Sequence, residues 1–343
     1  MTWWGSFSCR LPHARCRRYP TADCWLRPLV RGGGCRIRPG YHPRVASPDI
    51  QEARGLTGEQ LAAISGLERR VVAHDGGRLK LEWAVLGQRP PDEVNDLLAW
   101  NGDRLAGFCG IYELGLVPEL AGAVDPSYRR RGVGSALLDR ALAIVARRRR
   151  ASVLLVAPRS TDSGRRFAEE MGATFDHAEH HMELDGPPVG PPPPRPSTEG
   201  IVIRPATDAD RAAVVCILED AFGEGAASAA ATDPHDFALV VERGPAVVGA
   251  LRLSLEGRTA GLYGLAVRSD LRGLGIGRAV LYQVCVEARS PGASKVTLEV
   301  EVDNDHALGL YTSGGFELRT TEDYFRFVIR AVQGDGRPDW VPR

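Results

Sequence analysis

The feature that most constrains this chain is that it repeats itself. Val124-Asp125-Pro126-Ser127-Tyr128-Arg129-Arg130-Arg131-Gly132-Val133-Gly134 returns in pattern as Val267-Arg268-Ser269-Asp270-Leu271-Arg272-Gly273-Leu274-Gly275-Ile276-Gly277. Arg129 and Arg272 stand 143 residues apart, and the same interval carries Val124 onto Val267, Gly132 onto Gly275, Gly134 onto Gly277 and Gly172 onto Gly315 without a gap. A repeat held in register over such a stretch marks a duplicated domain. The fold of one copy is therefore the fold of the other.

Proline shows where the copies meet. Gly186-Pro187-Pro188-Val189-Gly190-Pro191-Pro192-Pro193-Pro194-Arg195-Pro196 lacks the N–H donors of helix or ladder, so 186–199 reads as a solvated, polyproline-like linker between copies at 51–185 and 200–330. Residues 1–50 hold nine arginines against Asp23 and Asp49, with no sustained apolar period. They read as a disordered basic tail, one that an over-extended translation start would add, and a transit peptide shares the composition. Residues 331–343 read as a short tail.

Composition excludes more than it identifies. Acidic and basic residues balance at 43 each, which gives no whole-chain attraction to nucleic acid or anionic membrane. No apolar run reaches the roughly 20 residues of a membrane-spanning helix, and a cytoplasmic protein is expected. Cys9, Cys16, Cys24 and Cys35 lack the close pairing of common zinc sites, and no metal is expected. Cys109, Cys216 and Cys285 sit singly in apolar stretches and read as small buried hydrophobes.

In the second copy the spacing predicts strands at 201–204, 237–242, 246–255, 262–267, 296–302 and 324–329, with helices at 210–222, 277–288 and 305–313. The glycine turn 272–277 thus joins a buried strand to a helix. Glycines let a ligand approach the backbone, and the unpaired N–H groups of a helix's first turn attract phosphate. The loop is neither a P-loop, lacking Gly-Lys-Ser/Thr, nor a dinucleotide fingerprint, because Val280 and Leu137 stand where a third glycine belongs.

Taken together these residues resemble the GCN5-related N-acetyltransferase (GNAT) superfamily. Its Gln/Arg-x-x-Gly-x-Gly/Ala loop is matched by Arg272, Gly275 and Gly277, and by Arg129, Gly132 and Gly134. Leu298, Val300, Asn304, Ala307, Tyr311, Gly315 and Phe316 continue the pattern at the family's spacings. The match is strong over 200–330 and partial over 97–184. The resemblance implies an α+β fold with a mixed sheet, in two tandem GNAT acyl-CoA N-acyltransferase domains joined by the proline-rich linker.

It further implies acetyl-CoA as cofactor, lying in a V between strands that splay apart. Leu265, Ala266 and Val267 would pair with the pantetheine arm, and Arg272, Gly273, Leu274, Gly275, Ile276, Gly277 and Arg278 would surround the pyrophosphate. Asn304 would sit beside the cofactor. In the first copy Val124, Arg129, Arg130, Arg131, Gly132, Val133 and Gly134 would do the same work. Tyr311 matches the family's general acid, a phenol still protonated at pH 7.

Many relatives place a basic Glu early in the strand before the loop, but Thr259–Leu262 holds no acid. Glu299 and Glu301, on the neighbouring strand, are candidates for proton removal, directly or through water, and Glu299 for substrate binding; a solvated strand face is the other reading. The first copy departs further: Ala168 falls opposite Tyr311 and Thr161 opposite Asn304, with Glu119 its one tempting catalytic residue. The expected activity is acetylation of a primary amine on a small molecule or peptide. The tandem arrangement is similar to the mycothiol synthase family, which acetylates a cysteinyl amine on a sugar-inositol, although Gly261 stands where that family carries Glu. A non-catalytic acetyl-CoA sensor is the competing class. Oligomeric state is open.

Overall fold

Short alternating strands need a shared surface on which to bury their apolar faces, and here both copies build the same one. The computed structural model describes residues 49–113, 115–223, 237–289 and 292–329. The strands are β1 (Asp49–Arg54), β2 (Val94–Asn101), β3 (Arg104–Tyr112), β4 (Glu119–Val124), β5 (Ser152–Pro158), β6 (Thr174–Asp185), β7 (Ile201–Pro205), β8 (Phe237–Arg243), β9 (Ala246–Glu256), β10 (Thr259–Val267), β11 (Lys295–Glu301) and β12 (Glu317–Val328). The helices are α1 (Gly58–Asp75), α2 (Trp83–Leu86), α3 (Val133–Arg147), α4 (Asp162–Glu170), α5 (Arg211–Phe222), α6 (Ile276–Glu287) and α7 (Asp305–Ser313). The 143-residue interval survives into the structure: β5, α4 and β6 fall residue for residue onto β11, α7 and β12.

All twelve strands join one mixed sheet in the order β1-β2-β3-β4-β5-β12-β6-β11-β10-β9-β8-β7. The middle of that order holds a reciprocal exchange. β12, the last strand of the second copy, pairs antiparallel with β5 of the first, and β6 of the first pairs antiparallel with β11 of the second. β6 and β12 then pair with each other. Tyr324 stands opposite Val156, and His181 opposite Glu299, so one register is the other moved by the repeat interval.

The apolar side chains follow the exchange. Phe325 and Phe327 of β12 are buried in the core of the first copy with Leu137, Ala141 and Val153. Met182 and Leu184 of β6 are buried in the core of the second with Val280, Leu298 and Tyr311. Fully burying one such side chain stabilises by about 1.5–3 kcal/mol. In this arrangement each core is completed by the last strand of the other copy. Fragments 1–190 and 191–343 produced separately are expected to lack cooperative thermal unfolding, and to regain it on co-expression. Two cooperative fragments would show that each copy can take back its own last strand.

The structure changes four local expectations. The first copy begins at Asp49, because Asp49 and Ile50 pair with Trp100 and Ala99 of β2; residues 1–48, and the tail beyond 329, lie outside the described residues. The last strand starts at Glu317 rather than Tyr324, since its polar first half lies over β6. Cys109 and Cys285 are buried but Cys216 is exposed on α5; the four N-terminal cysteines lie outside the described residues. The linker is exposed along most of its length, as a solvated spacer should be, but it is also tethered: the Val189 N–H donates to the Gly314 carbonyl at 3.2 Å and the Ser197 hydroxyl to the Leu274 carbonyl at 2.7 Å. No helix among the described residues is long and apolar enough to cross a membrane.

Candidate active site

Each copy has a parallel strand pair that starts together and then parts. β10 and β11 are in register from Thr259 opposite Lys295 to Leu262 opposite Leu298. Beyond Leu262, β10 bulges at Gly264, with φ +59°, and follows β9 instead, so Leu265, Ala266 and Val267 line the open side of a V. β4 and β5 do the same in the first copy, pairing only Glu119 with Leu154 and Leu120 with Leu155.

This register corrects a comparison that the sequence interval misses by one residue. Glu119 faces Leu154, and Gly261 faces Thr297, the counterpart of Leu154. Glu119 is therefore the structural partner of Gly261, not of Leu262, because the Gly264 bulge adds one residue to β10. The first copy keeps an acid at the mouth of its V and has Ala168 in place of the phenol. The second keeps Tyr311 and has no acid on the strand.

Beyond the V the chain turns through glycines into a helix. Gly275 is the residue before α6 at φ +91° and Gly132 the residue before α3 at φ +82°, a left-handed geometry that disfavours side chains. Among the described residues, the backbone N–H groups of Gly273–Arg278 donate no hydrogen bond, and the helical ladder begins with Ala279 N–H to the Gly275 carbonyl at 3.1 Å. In the first copy it begins with Ala136 N–H to the Gly132 carbonyl at 3.0 Å. Each helix thus presents a cradle of unpaired donors at its positive end, which suits a phosphate. Gly277 faces Leu310 and Val267, and Gly134 faces their counterparts Phe167 and Val124.

The motif arginines make contacts within the protein. Arg272 Nε donates to the Val267 carbonyl at 3.0 Å and its guanidinium pairs with Asp220 of α5. Arg129 donates to the Val124 carbonyl at 3.1 Å and pairs with Asp75 of α1. Both brace the loop against its strand and the preceding helix, so their guanidinium groups are engaged within the protein. Arg130 pairs with Glu170, and Arg131 lies over the Tyr128 ring. Asn304 caps α7, its side-chain oxygen accepting from Ala307 N–H at 3.1 Å.

Tyr311 is buried on α7, packed against Phe316 in the core on the face that also holds Ala260, Leu262 and Leu298. Burial pushes its phenol up to about 12, so it stays protonated throughout the neutral range. Strand alternation turns Thr259, Gly261 and Tyr263 to the opposite face. There they line a cavity of about 340 Å³ with Ser254, Thr297, Glu299 and His181, and with Arg78, Glu82 and Trp83 from the first copy. The phenol thus belongs to the core face of the sheet and the polar cleft to the opposite face.

The cleft wall is built around an ion cluster that nothing in the sequence pattern announces. Lys80, one of two lysines in the chain, is buried. Its ammonium lies 2.8 Å from Glu299, 3.4 Å from Glu119 and 3.7 Å from Glu179, and donates to the Tyr324 hydroxyl at 2.6 Å. Tyr324 in turn donates to Glu179. Arg78 adds contacts to Glu299 at 3.2 Å and Glu322 at 3.5 Å. Although burial opposes its charge, Lys80 and Arg78 hold the Glu299 carboxyl down to about 2. A carboxylate so firmly ionised is a poor base, which argues for Glu299 as a substrate-binding group rather than a proton acceptor. Burial instead raises Glu119 despite Lys80 beside it. Glu301 is exposed at the end of β11, outside the cavity lining.

Comparison with known proteins agrees with this geometry. The acetyltransferase (GNAT) family model matches residues 67–173 and again 209–316. The mycothiol acetyltransferase of Thermobispora bispora is 29% identical over 298 residues, spanning 80% of this chain and 98% of that protein. The GCN5-related N-acetyltransferase of Sphaerobacter thermophilus superposes with a TM-score of 0.67 at 21% identity, covering 82% of this chain and 96% of that one. A tandem GNAT protein from the clavulanic acid biosynthesis pathway superposes at 0.59 with 18% identity, covering 84% and 100%. With two family matches, two copies of the splayed strand pair and two glycine cradles, this chain belongs to the acetyltransferase (GNAT) family as a tandem member, an acetyl-transferring enzyme similar to the mycothiol acetyltransferases.

Proposed function

We propose that the second copy transfers the acetyl group of acetyl-CoA to the primary amine of a small molecule, with Tyr311 as general acid. The observation that carries this reading is the V of β10 and β11, followed by a cradle of free N–H donors, with Tyr311 in the core under the same strands and a polar cleft lined by their first residues. The N–H groups of Gly273–Arg278 would hold the pyrophosphate, the edge of Leu265–Val267 the pantetheine arm, and the side-chain amide of Asn304 would lie alongside. The amine attacks the thioester carbon from the cleft, the C–N bond forms as the C–S bond breaks, and Tyr311 donates to the departing sulfur. Its high pKa makes that phenol a secure donor and a weak acid.

The acceptor we infer is a cysteinyl amine on a sugar-inositol, the mycothiol type. The cleft is lined by the carboxylates Glu82, Glu256 and Glu299 and by the hydroxyls of Ser254, Thr259, Thr297 and Tyr263, which suit a cationic amine attached to a polyol. The match across 98% of a mycothiol acetyltransferase and 80% of this chain supports the same class. The first copy keeps the cradle without the phenol, and its role in this reading is to bind acetyl-CoA without turning it over. The test is thiol release from acetyl-CoA by the full chain with cysteinyl-glucosaminyl-inositol, set beside spermidine, an aminoglycoside and a peptide amine. Release with the first acceptor alone is expected. Preference for another amine would overturn the acceptor. Tight binding of acetyl-CoA with no release for any amine would favour a sensor.

A further inference from the structure

The second copy lacks an acid on the strand where the first has Glu119, and the side chains of Tyr263 and Ser254 fill the space beside Gly261. A Cβ on residue 261 would lie 2.6 Å from the Tyr263 hydroxyl and 2.7 Å from the Ser254 oxygen, well inside van der Waals contact. The amine must still lose a proton. We propose that Glu82, which the first copy extends to the cleft wall, is the general base for the second copy's reaction. This inference rests on the functional reading above.

Glu82 stands at the residue before α2, half-buried, lining the same cavity as Gly261, Tyr263 and Thr297. The other acids of the cleft are less suited. Glu299 is clasped by Lys80 and Arg78, and Glu256 is exposed at the end of β9. The cations of the cluster pair with Glu299, Glu322, Glu119 and Glu179; among the described residues none forms a salt bridge to Glu82. The charged groups acting on Glu82 are Glu299 of β11 and Glu119 of β4, with Lys80 and Arg78 of its own loop. Burial, reinforced by Glu299, raises its carboxyl to about 6 against the pull of Lys80 and Arg78. Such a group is ionised at working pH yet basic enough to accept a proton.

His181 of β6 is the rival. It lines the cavity, its Nδ1 is buried without a hydrogen-bond partner among the described residues, and burial and Arg78 lower its pKa against the pull of Glu299 and Glu183. Its other nitrogen lies 3.4 Å from Glu183, and its Nδ1 lies 3.9 Å from Glu299, the carboxylate already held by Lys80 and Arg78. In the step proposed here the amine's proton passes to the Glu82 carboxylate as the C–N bond forms. The sulfur leaves with the proton of Tyr311, and solvent returns one proton to Tyr311 and takes one from Glu82.

The test compares Glu82→Gln, Glu82→Asp and His181→Gln in the full chain, using acetyl-CoA and cysteinyl-glucosaminyl-inositol. The wild type should show a kcat/KM profile that falls below a pKa near 6, separate from the limb set by the acceptor amine. Glu82→Gln should lose that limb and about 10²–10⁴-fold in kcat, with acetyl-CoA affinity by calorimetry unchanged. Glu82→Asp should restore part of the rate and the limb. A Glu82→Gln enzyme that keeps both limb and kcat overturns the inference, as does one changed only in the acceptor KM, which would make Glu82 a binding group. Loss of the limb in His181→Gln alone overturns it in favour of the histidine. A wild type inactive with this acceptor would sink the functional reading itself, a result distinct from any of these.

Discussion

Tyr311→Phe is expected to lower turnover by about 10²–10⁴-fold while acetyl-CoA affinity stays within a factor of about two. The ring and its packing against Phe316 and the core of the second copy remain; only the hydroxyl is lost. A drop in kcat with little change in KM locates the loss in the transition state. Because the phenol is pushed up to about 12, the wild-type rate should show no basic limb from Tyr311 below about pH 10. The mirror change, Ala168→Tyr, should add no measurable activity, since Ala168 is fully buried beneath Phe325 and Phe327 and a phenol there would overpack that core. Full turnover in Tyr311→Phe, with chemistry rate-limiting, would make Tyr311 a packing residue only.

Lys80→Met should be the most destabilising single change at the junction of the copies, by about 3–5 kcal/mol. The ammonium is the shared partner of Glu119, Glu179 and Glu299, and methionine fills its volume while leaving those carboxylates without their cation. The measurement is the denaturant midpoint at pH 7. Adding Glu299→Gln to Lys80→Met should recover part of the loss, because it removes one uncompensated charge, and a double-mutant cycle reads the coupling. The sign with pH can be checked as well. Glu299 is held at about 2 against an ordinary 4.5, so its contribution is full above pH 4.5 and is lost as pH falls toward 2. That acid-side loss should flatten in Lys80→Met. A variant as stable as the wild type would show that solvent or side-chain rearrangement neutralises the cluster.

The sequence alone determined the duplication, the family and the parts of the site that are local. A glycine forced to positive φ, a helix start and an i-to-i+4 spacing are short-range demands, so Gly275, Gly277, Asn304 and Tyr311 are readable without the rest of the chain. The repeat interval even placed β5, α4 and β6 on β11, α7 and β12 to the residue.

Only the tertiary structure decided which strand lies beside which. β6 and β12 are repeats of one another, with the same length and the same alternation, so either can satisfy the edge of β5; the choice belongs to the total burial of both cores. That exchange brings β6, β11 and β12 together, and with them the acids that gather on Lys80, more than 90 residues away from most of them in the chain. It also carries Glu82 of one copy to the cleft of the other. The one-residue bulge at Gly264, which makes Glu119 the counterpart of Gly261, and the use of Arg129 and Arg272 as braces are likewise non-local. Each depends on where a distant strand or helix, Asp75 of α1 or Asp220 of α5, comes to rest. Spacing records what a segment can do; contact between segments settles what its side chains are left free to do.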